Sequence, residues 1–96
     1  MNIKEKENLI KFIERNNLPV SFVRINQIHG WDERDAIPEK LAELKKSIER
    51  EGLKEPLDVS IEMNDGNNIS FTGQNGKHRY LAMKQLGYTI VPCKIM

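Results

Sequence analysis

The chain has 96 residues, 39% hydrophobic and 30% charged, with a net charge of +1. That length fits one domain with a small core, the apolar content excludes general disorder, and the near-neutral charge excludes a global basic field, so any nucleic-acid or nucleotide contact must come from a local patch. One cysteine, Cys93, excludes an intrachain disulfide framework. The apolar runs are too short for a membrane span, and the Lys/Glu-rich N-terminus lacks a signal region, so the expected compartment is the cytoplasm.

Asn2 to Asn16 read as an amphipathic helix. Ile3, Leu9, Ile10 and Ile13 fall near one face with Phe12 on its edge, and Lys4, Glu5, Lys11 and Glu14 lie on the other. Asn16-Asn17 before Leu18-Pro19 marks its stop. The expected division is 1–17, an appended helix that covers the core or binds a partner, and 18–96, the domain proper. Val20 to Ile28 read as one strand, from the period-two alternation around Val23 and Ile25. His29 to Ile37 form a loop that gathers Trp31, three acids, Arg34 and His29.

Pro38 to Glu51 is the best-marked helix, with Leu41, Leu44 and Ile48 on one face and Gly52 as its stop. Leu57 to Glu62 is a strand with Leu57, Val59 and Ile61 on one side. Asn64-Asp65-Gly66-Asn67 turns it back into an antiparallel partner, Asn68 to Thr72. A further helix ends near Leu86-Gly87. Thr89 to Ile95 is the last strand, where Pro92 argues for an edge or a bulge. The predicted class is α+β: a small mixed sheet with two helices packed on it, plus an extra N-terminal helix.

The most informative stretch is Gly73-Gln74-Asn75-Gly76-Lys77-His78-Arg79. It follows a strand and opens a helix. A helix N-terminus carries partial positive charge and favours acids in its first turn. Here the first turn is Lys77, His78, Arg79, and no acid follows Asp65. Each such cation costs about 0.3–1 kcal/mol when exposed, and a bound anion would reverse the sign. Two glycines would let backbone N–H groups approach that anion. The stretch is not a Walker A motif, since His78 stands where Ser or Thr is required, and it lacks the third glycine of a dinucleotide fingerprint. Lys77 can act as a point charge and Arg79 can fork onto phosphate oxygens. The alternative is a solvated basic turn, with Arg79 paired to an acid such as Glu55 or Asp58.

The spacing Leu44-x-x-Ser47-Ile48-x-x-x-Gly52-Leu53-x-x-Pro56-Leu57-x-Val59, then Gly76-Lys77-His78-Arg79-x-x-Ala82-x-x-x-Leu86-Gly87, then Val91-Pro92, resembles the superfamily of ParB N-terminal domains and sulfiredoxins, often called ParB-like nuclease domains. The resemblance covers about Phe22 to Ile95. It implies that fold, and nucleotide binding at the Gly-x-x-Arg turn. ParB proteins use Gly-Glu-Arg-Arg there for CTP. Sulfiredoxins carry Gly-Cys-His-Arg and use the cysteine in ATP-dependent repair. Free serine kinases carry His-His-Arg and use an acid in the loop after the first strand. Here Lys77 occupies the sulfiredoxin cysteine position and Cys93 lies far along the chain, so sulfiredoxin chemistry is not implied. Cys93 reads as a small buried residue.

The acidic loop is the second candidate group. Asp32 and Asp35 are the candidate Mg²⁺ ligands and Glu33 the candidate catalytic acid, because phosphoryl transfer needs charge neutralisation and an oriented nucleophile. The plainer alternative has Asp35 capping the helix at Pro38 while Asp32 and Glu33 are solvated. Arg34 would reach a phosphate or balance its neighbouring acids. His29 and His78 are too few for a histidine metal site. His78 would donate to phosphate through a ring N–H, or face solvent. Trp31 would stack on a base, or pack over the core edge. Glu55 would accept from a base or ribose, or pair with Lys54 or Arg79.

The expectation is a single-domain nucleotide-binding protein that holds the phosphates of ATP or CTP, with or without Mg²⁺, at Gly73 to Arg79. Hydrolysis or phosphoryl transfer is its candidate chemistry. Two alternatives stand beside it. One is a metal-dependent DNA nuclease, with Lys77 and Arg79 on the DNA backbone and the acids on a metal. The other is a non-enzymatic regulator, such as a phage inhibitor that binds a host protein.

Overall fold

The computed structural model describes residues 3–15, 19–66 and 68–96. The predicted helix stop at Asn16-Asn17-Leu18, the expected boundary between 17 and 18, and Asn67 of the hairpin turn lie outside the described residues. In chain order the elements are α1 (Ile3–Arg15), β1 (Ser21–Arg24), β2 (Ile28–His29), α2 (Pro38–Glu51), β3 (Leu57–Asn64), β4 (Ile69–Asn75), α3 (Lys77–Gln85) and β5 (Ile90–Ile95), with 3-10 turns at Ile25–Gln27 and Glu33–Asp35. The class is α+β, with a five-stranded mixed sheet of order β1-β5-β3-β4-β2. None of the described helices is long and apolar enough to cross a membrane.

β3 and β4 form the predicted antiparallel hairpin, with Ser60 opposite Thr72 and Ile61 opposite Phe71. β5 runs parallel to β3, starting with Cys93 opposite Leu57. α2 and α3 pack together over the sheet, and Ile48, Leu81 and Met83 close the core against Leu57, Val59 and Val91. α3 ends as its sequence predicts: Gly87 N–H donates to the Lys84 carbonyl (3.1 Å) and Tyr88 N–H to the Met83 carbonyl (3.0 Å). This is a Schellman closure, and it buries Tyr88 against the core.

Three expectations are corrected. The single strand over Val20 to Ile28 is two strands. The chain breaks at Ile25–Gln27, then β1 pairs with β5 while β2 pairs parallel with β4 at the far side of the order. Gln27 holds the break: its Oε1 accepts from Arg24 N–H (3.2 Å) and its Nε2 donates to the Ile69 carbonyl (3.1 Å). Alternation places Val23 in the core correctly, but Ile28, of opposite parity, is buried as well because the turn at Ile25–Gln27 resets the face, and alternation does not encode which neighbour a strand meets.

The second correction concerns Pro92, which lies in an inner strand between β1 and β3. Its register partner is Phe22 on β1, and the β3 ladder begins one residue later at Cys93. The missing N–H therefore falls where β5 has a partner on one side only.

The third is the orientation of α1. Its buried residues are Glu5, Asn8, Leu9 and Phe12. Ile3, Ile10 and Ile13, expected on the packing face, are exposed. The inward stripe keeps i, i+3, i+4, i+7 spacing, and its polar members are satisfied by specific partners. Glu5 Oε1 accepts from Thr89 N–H (2.7 Å), Thr89 Oγ1 (2.9 Å) and Ile90 N–H (3.0 Å), at the start of β5. Asn8 Nδ2 donates to the Tyr88 hydroxyl. Burial pushes the Glu5 carboxyl up, but the hydrogen bonds from Thr89 and Ile90 outweigh it and leave a net downward shift.

Two outcomes follow from this docking. Phe12 is 1% exposed and Ile13 55%. Phe12→Ala should cost about 3–5 kcal/mol, whereas Ile13→Ala should stay within about 0.5 kcal/mol, both read from urea midpoints. Because the folded Glu5 carboxyl titrates below its ordinary value, its contribution is complete above that value and is lost as pH falls through the lower folded one. The acid slope of stability in that window should flatten in Glu5→Gln.

Candidate functional site

β4 becomes α3 within one residue, Gly76, at φ +116 and ψ 27. An L side chain resists that conformation. A Cβ there would also lie 2.8 Å from Leu57 Cδ2. Gly76 therefore sets the direction in which α3 leaves the sheet. The first turn of α3 then presents Lys77, His78 and Arg79, with no acid in it. These residues line an open cleft of about 980 Å³ together with Gly30, Trp31, Asp35, Leu44, Gln74 and Asn75.

Each first-turn side chain is held by a different element. Lys77 Nζ donates to the Asp35 carbonyl at 2.8 Å. His78 Nε2 accepts from Ile37 N–H at 3.0 Å. Ile37 is the N-cap residue of α2 and makes no side-chain cap of its own. Burial, then Lys77, then Lys40 pull the His78 imidazole below its ordinary value. Arg79 folds the other way: its Nη1 donates to the Pro56 carbonyl at 2.7 Å and lies 3.5 Å from Glu55 Oε2. Its side chain is 18% exposed against 78% for Glu55, so the carbonyl is the firmer anchor and the exposed ion pair adds little.

The preceding residues brace the turn. Gln74 Nε2 donates to Ser60 Oγ at 2.8 Å, and Asn75 Nδ2 to Asp58 Oδ2 at 3.4 Å. Gly73 lies within β4 beneath Trp31, and a Cβ there would overlap the indole ring. The indole also meets the Tyr80 ring at 5.2 Å between centroids, tilted by 45°. Trp31 thus packs over the core edge while one side of it lines the cleft.

The acidic loop divides. Asp35 lines the cleft. Asp32 and Glu33 line a second opening of about 570 Å³ with Leu81 and Lys84, across Gly30 and Trp31 from the cations. Asp32 is engaged by Arg34, which donates through Nη2 (2.7 Å), Nε (3.1 Å) and its backbone N–H (2.9 Å). The Arg34 side chain first, and its N–H second, hold the Asp32 carboxyl below the usual range. Asp35 does not cap α2; the side-chain cap in this loop is Asp32 on the 3-10 turn. Among the described residues no group of three or more His, Cys, Asp or Glu side chains could hold a metal ion. Of the candidate Mg²⁺ ligands, Asp35 lines the cleft and Asp32 the second opening, beside the candidate acid Glu33.

Cys93 is fully buried, and burial, with Asp58 nearby, pushes its thiol up to about 12. It is a core residue and supplies no thiolate at neutral pH. The sequence reading missed Gly30 and Leu44 as cleft residues; Leu44 carried only the signature of a core-facing helix position. It also missed the Ile37–His78 bond, for which a separation of 41 residues leaves no local signal.

The family model of the ParB N-terminal domain matches residues 4–96, and the chain belongs to that family. The match includes α1 from its second residue onward. A search of curated proteins finds no match. Among solved structures, sulfiredoxin from Arabidopsis thaliana is 30% identical, with a TM-score of 0.66 over 82% of this chain and 85% of that one. The C-terminally truncated chromosome-partitioning protein ParB from Caulobacter crescentus, complexed with CTP-gamma-S, is 20% identical, with a TM-score of 0.65 over 81% of this chain and 44% of that one. A free serine kinase in complex with AMP is 15% identical, with a TM-score of 0.66 over 84% of this chain and 32% of that one. The chain spans less than half the length of the ParB and kinase chains, and at those identities they share the fold.

The Trp31–Gly73 contact is testable. Gly73→Ala should displace the indole, because the new methyl has no room beneath it. Trp31 is the chain's one tryptophan, so the expected result is a red-shifted fluorescence emission together with a lowered unfolding midpoint.

Proposed function

We propose that this ParB-like domain binds a nucleoside polyphosphate, with the phosphates at the N-terminus of α3. The observation that carries the reading is the acid-free cationic first turn opening into the cleft, behind a glycine in the left-handed region. Backbone N–H groups, the helix dipole and Lys77 all favour a polyanion there. ATP and CTP are the candidate ligands. The relatives whose structures hold CTP-gamma-S and AMP support the ligand class. Arg79, tied to Pro56, serves the turn from behind and links it to the segment before β3. Glu55 sits beyond Arg79 at the rim. Mg²⁺ enters as a companion of the phosphates, since the described acids offer no joint site.

The nuclease reading needs Lys77, Arg79 and the acids on one substrate, whereas Trp31 separates Asp32 and Glu33 from the cations. The regulator reading has no specific observation in its favour.

Calorimetric titration with ATP, CTP, ADP and GTP, each with and without Mg²⁺, tests the proposal. Binding of at least one is expected, and Lys77→Ala should weaken it roughly tenfold or more, the worth of one hydrogen bond to a charged group. Lys77→Ala is the milder variant, because it frees the exposed Asp35 carbonyl, whereas Arg79→Ala strips the partner from the part-buried Pro56 carbonyl. No heat with any of the four at millimolar concentration, or identical affinity in Lys77→Ala, refutes the reading.

A further inference from the structure

A backbone amide can only donate, so the Ile37 N–H to His78 Nε2 contact at 3.0 Å requires an unprotonated Nε2. In the structure, then, the ring is neutral and is spent on the segment before α2. The same segment is held a second time, by Lys77 through the Asp35 carbonyl at 2.8 Å. The two residues expected to meet an anion both grip residues 35–37 instead.

The charged groups around the ring are few. Lys77 and Arg79 stand on its own helix, Lys40 on α2, and Asp35 on the loop before α2. Burial first, then Lys77 and Lys40, disfavour a positive charge on the ring while the cleft holds no anion. A polyphosphate in the cleft would reverse that balance, since an opposite charge within about 4–6 Å favours the charged form of a titrating group. Once protonated at Nε2, the ring would face the Ile37 N–H donor to donor, and that contact would have to open.

We propose that His78 is a proton-operated latch: neutral, it holds Ile37 and the start of α2 against α3; protonated, it releases them and gives its charge to the bound anion. Anion binding at this turn therefore takes up a proton and frees the 35–37 segment. The proposal rests on the phosphate-binding reading of the same cleft, and adds to it a coupling between ligand, proton and the N-terminus of α2. A neutral His78 restrains affinity above neutral pH, and acidification strengthens binding through the ring.

Proton NMR titration of the full chain, with and without saturating ATP, tests it. The sequence has two histidines, and His29→Gln assigns the His78 resonance without touching the cleft. ATP should raise the His78 midpoint by roughly one to three units, each unit being tenfold in the proton-linked part of the affinity. The Ile37 amide resonance should move in step with the ring, which a purely electrostatic role for His78 would not require. A Gly76 amide that shifts with ATP while the His78 midpoint stays put or falls overturns the latch and leaves nucleotide binding standing. A Gly76 amide that ignores ATP overturns both.

Discussion

The strand-to-helix junction at Gly76 is the constraint on which the site depends. With φ at +116 and Leu57 Cδ2 where a side chain would go, only glycine allows β4 to turn into α3 without a loop. That abruptness has two consequences. The first-turn side chains spread in different directions, so Lys77 and His78 reach the segment before α2 while Arg79 reaches behind the turn to Pro56. The junction thus becomes the place where β4, α3, the segment before α2 and the segment before β3 are all fastened. A ligand there would meet a turn already rigid on its sheet side, where Gln74 and Asn75 are bonded to β3.

Much of this was legible in the sequence because the signals were local. Pro38, the Leu41-Leu44-Ile48 stripe and Gly52 define α2, and its observed bounds, Pro38 to Glu51, match. The β3–β4 hairpin and the glycine-closed end of α3 were equally plain. The ordered landmarks from Leu44 to Pro92 identified the family, which the match over residues 4–96 establishes. Where physics is non-local, the reading failed. α1 carries two possible inward faces, and hydrophobicity chose the wrong one. Glu5 and Asn8 face inward because Thr89, Ile90 and Tyr88 supply partners some eighty residues away. The sequence cannot display those partners.

The site divides along the same line. The cations and glycines from Gly73 to Arg79 are contiguous, and the fold brings Gln74 to Arg79 to one cleft. The loop acids are contiguous too, yet contiguity did not gather them. Asp35 lines one opening and Asp32 with Glu33 another, and Arg34 occupies Asp32. Trp31 then stands between the two groups. The acid offered to Arg79, Glu55, does lie beside it, whereas Lys77 and His78 meet a carbonyl and an amide.

The break at Ile25–Gln27 bears on how the molecule behaves in a crowded solution. A mixed sheet with open sides offers its outermost backbone groups to any extended peptide, and long outer strands invite association. Here one short stretch of chain supplies both outermost strands, four residues on one side and two on the other. The longer strands β3, β4 and β5 are kept inside the order. The kinked segment therefore acts as a partial selvedge, covering Ile90–Cys93 on one side and Phe71–Thr72 on the other with pieces too short to template a further strand.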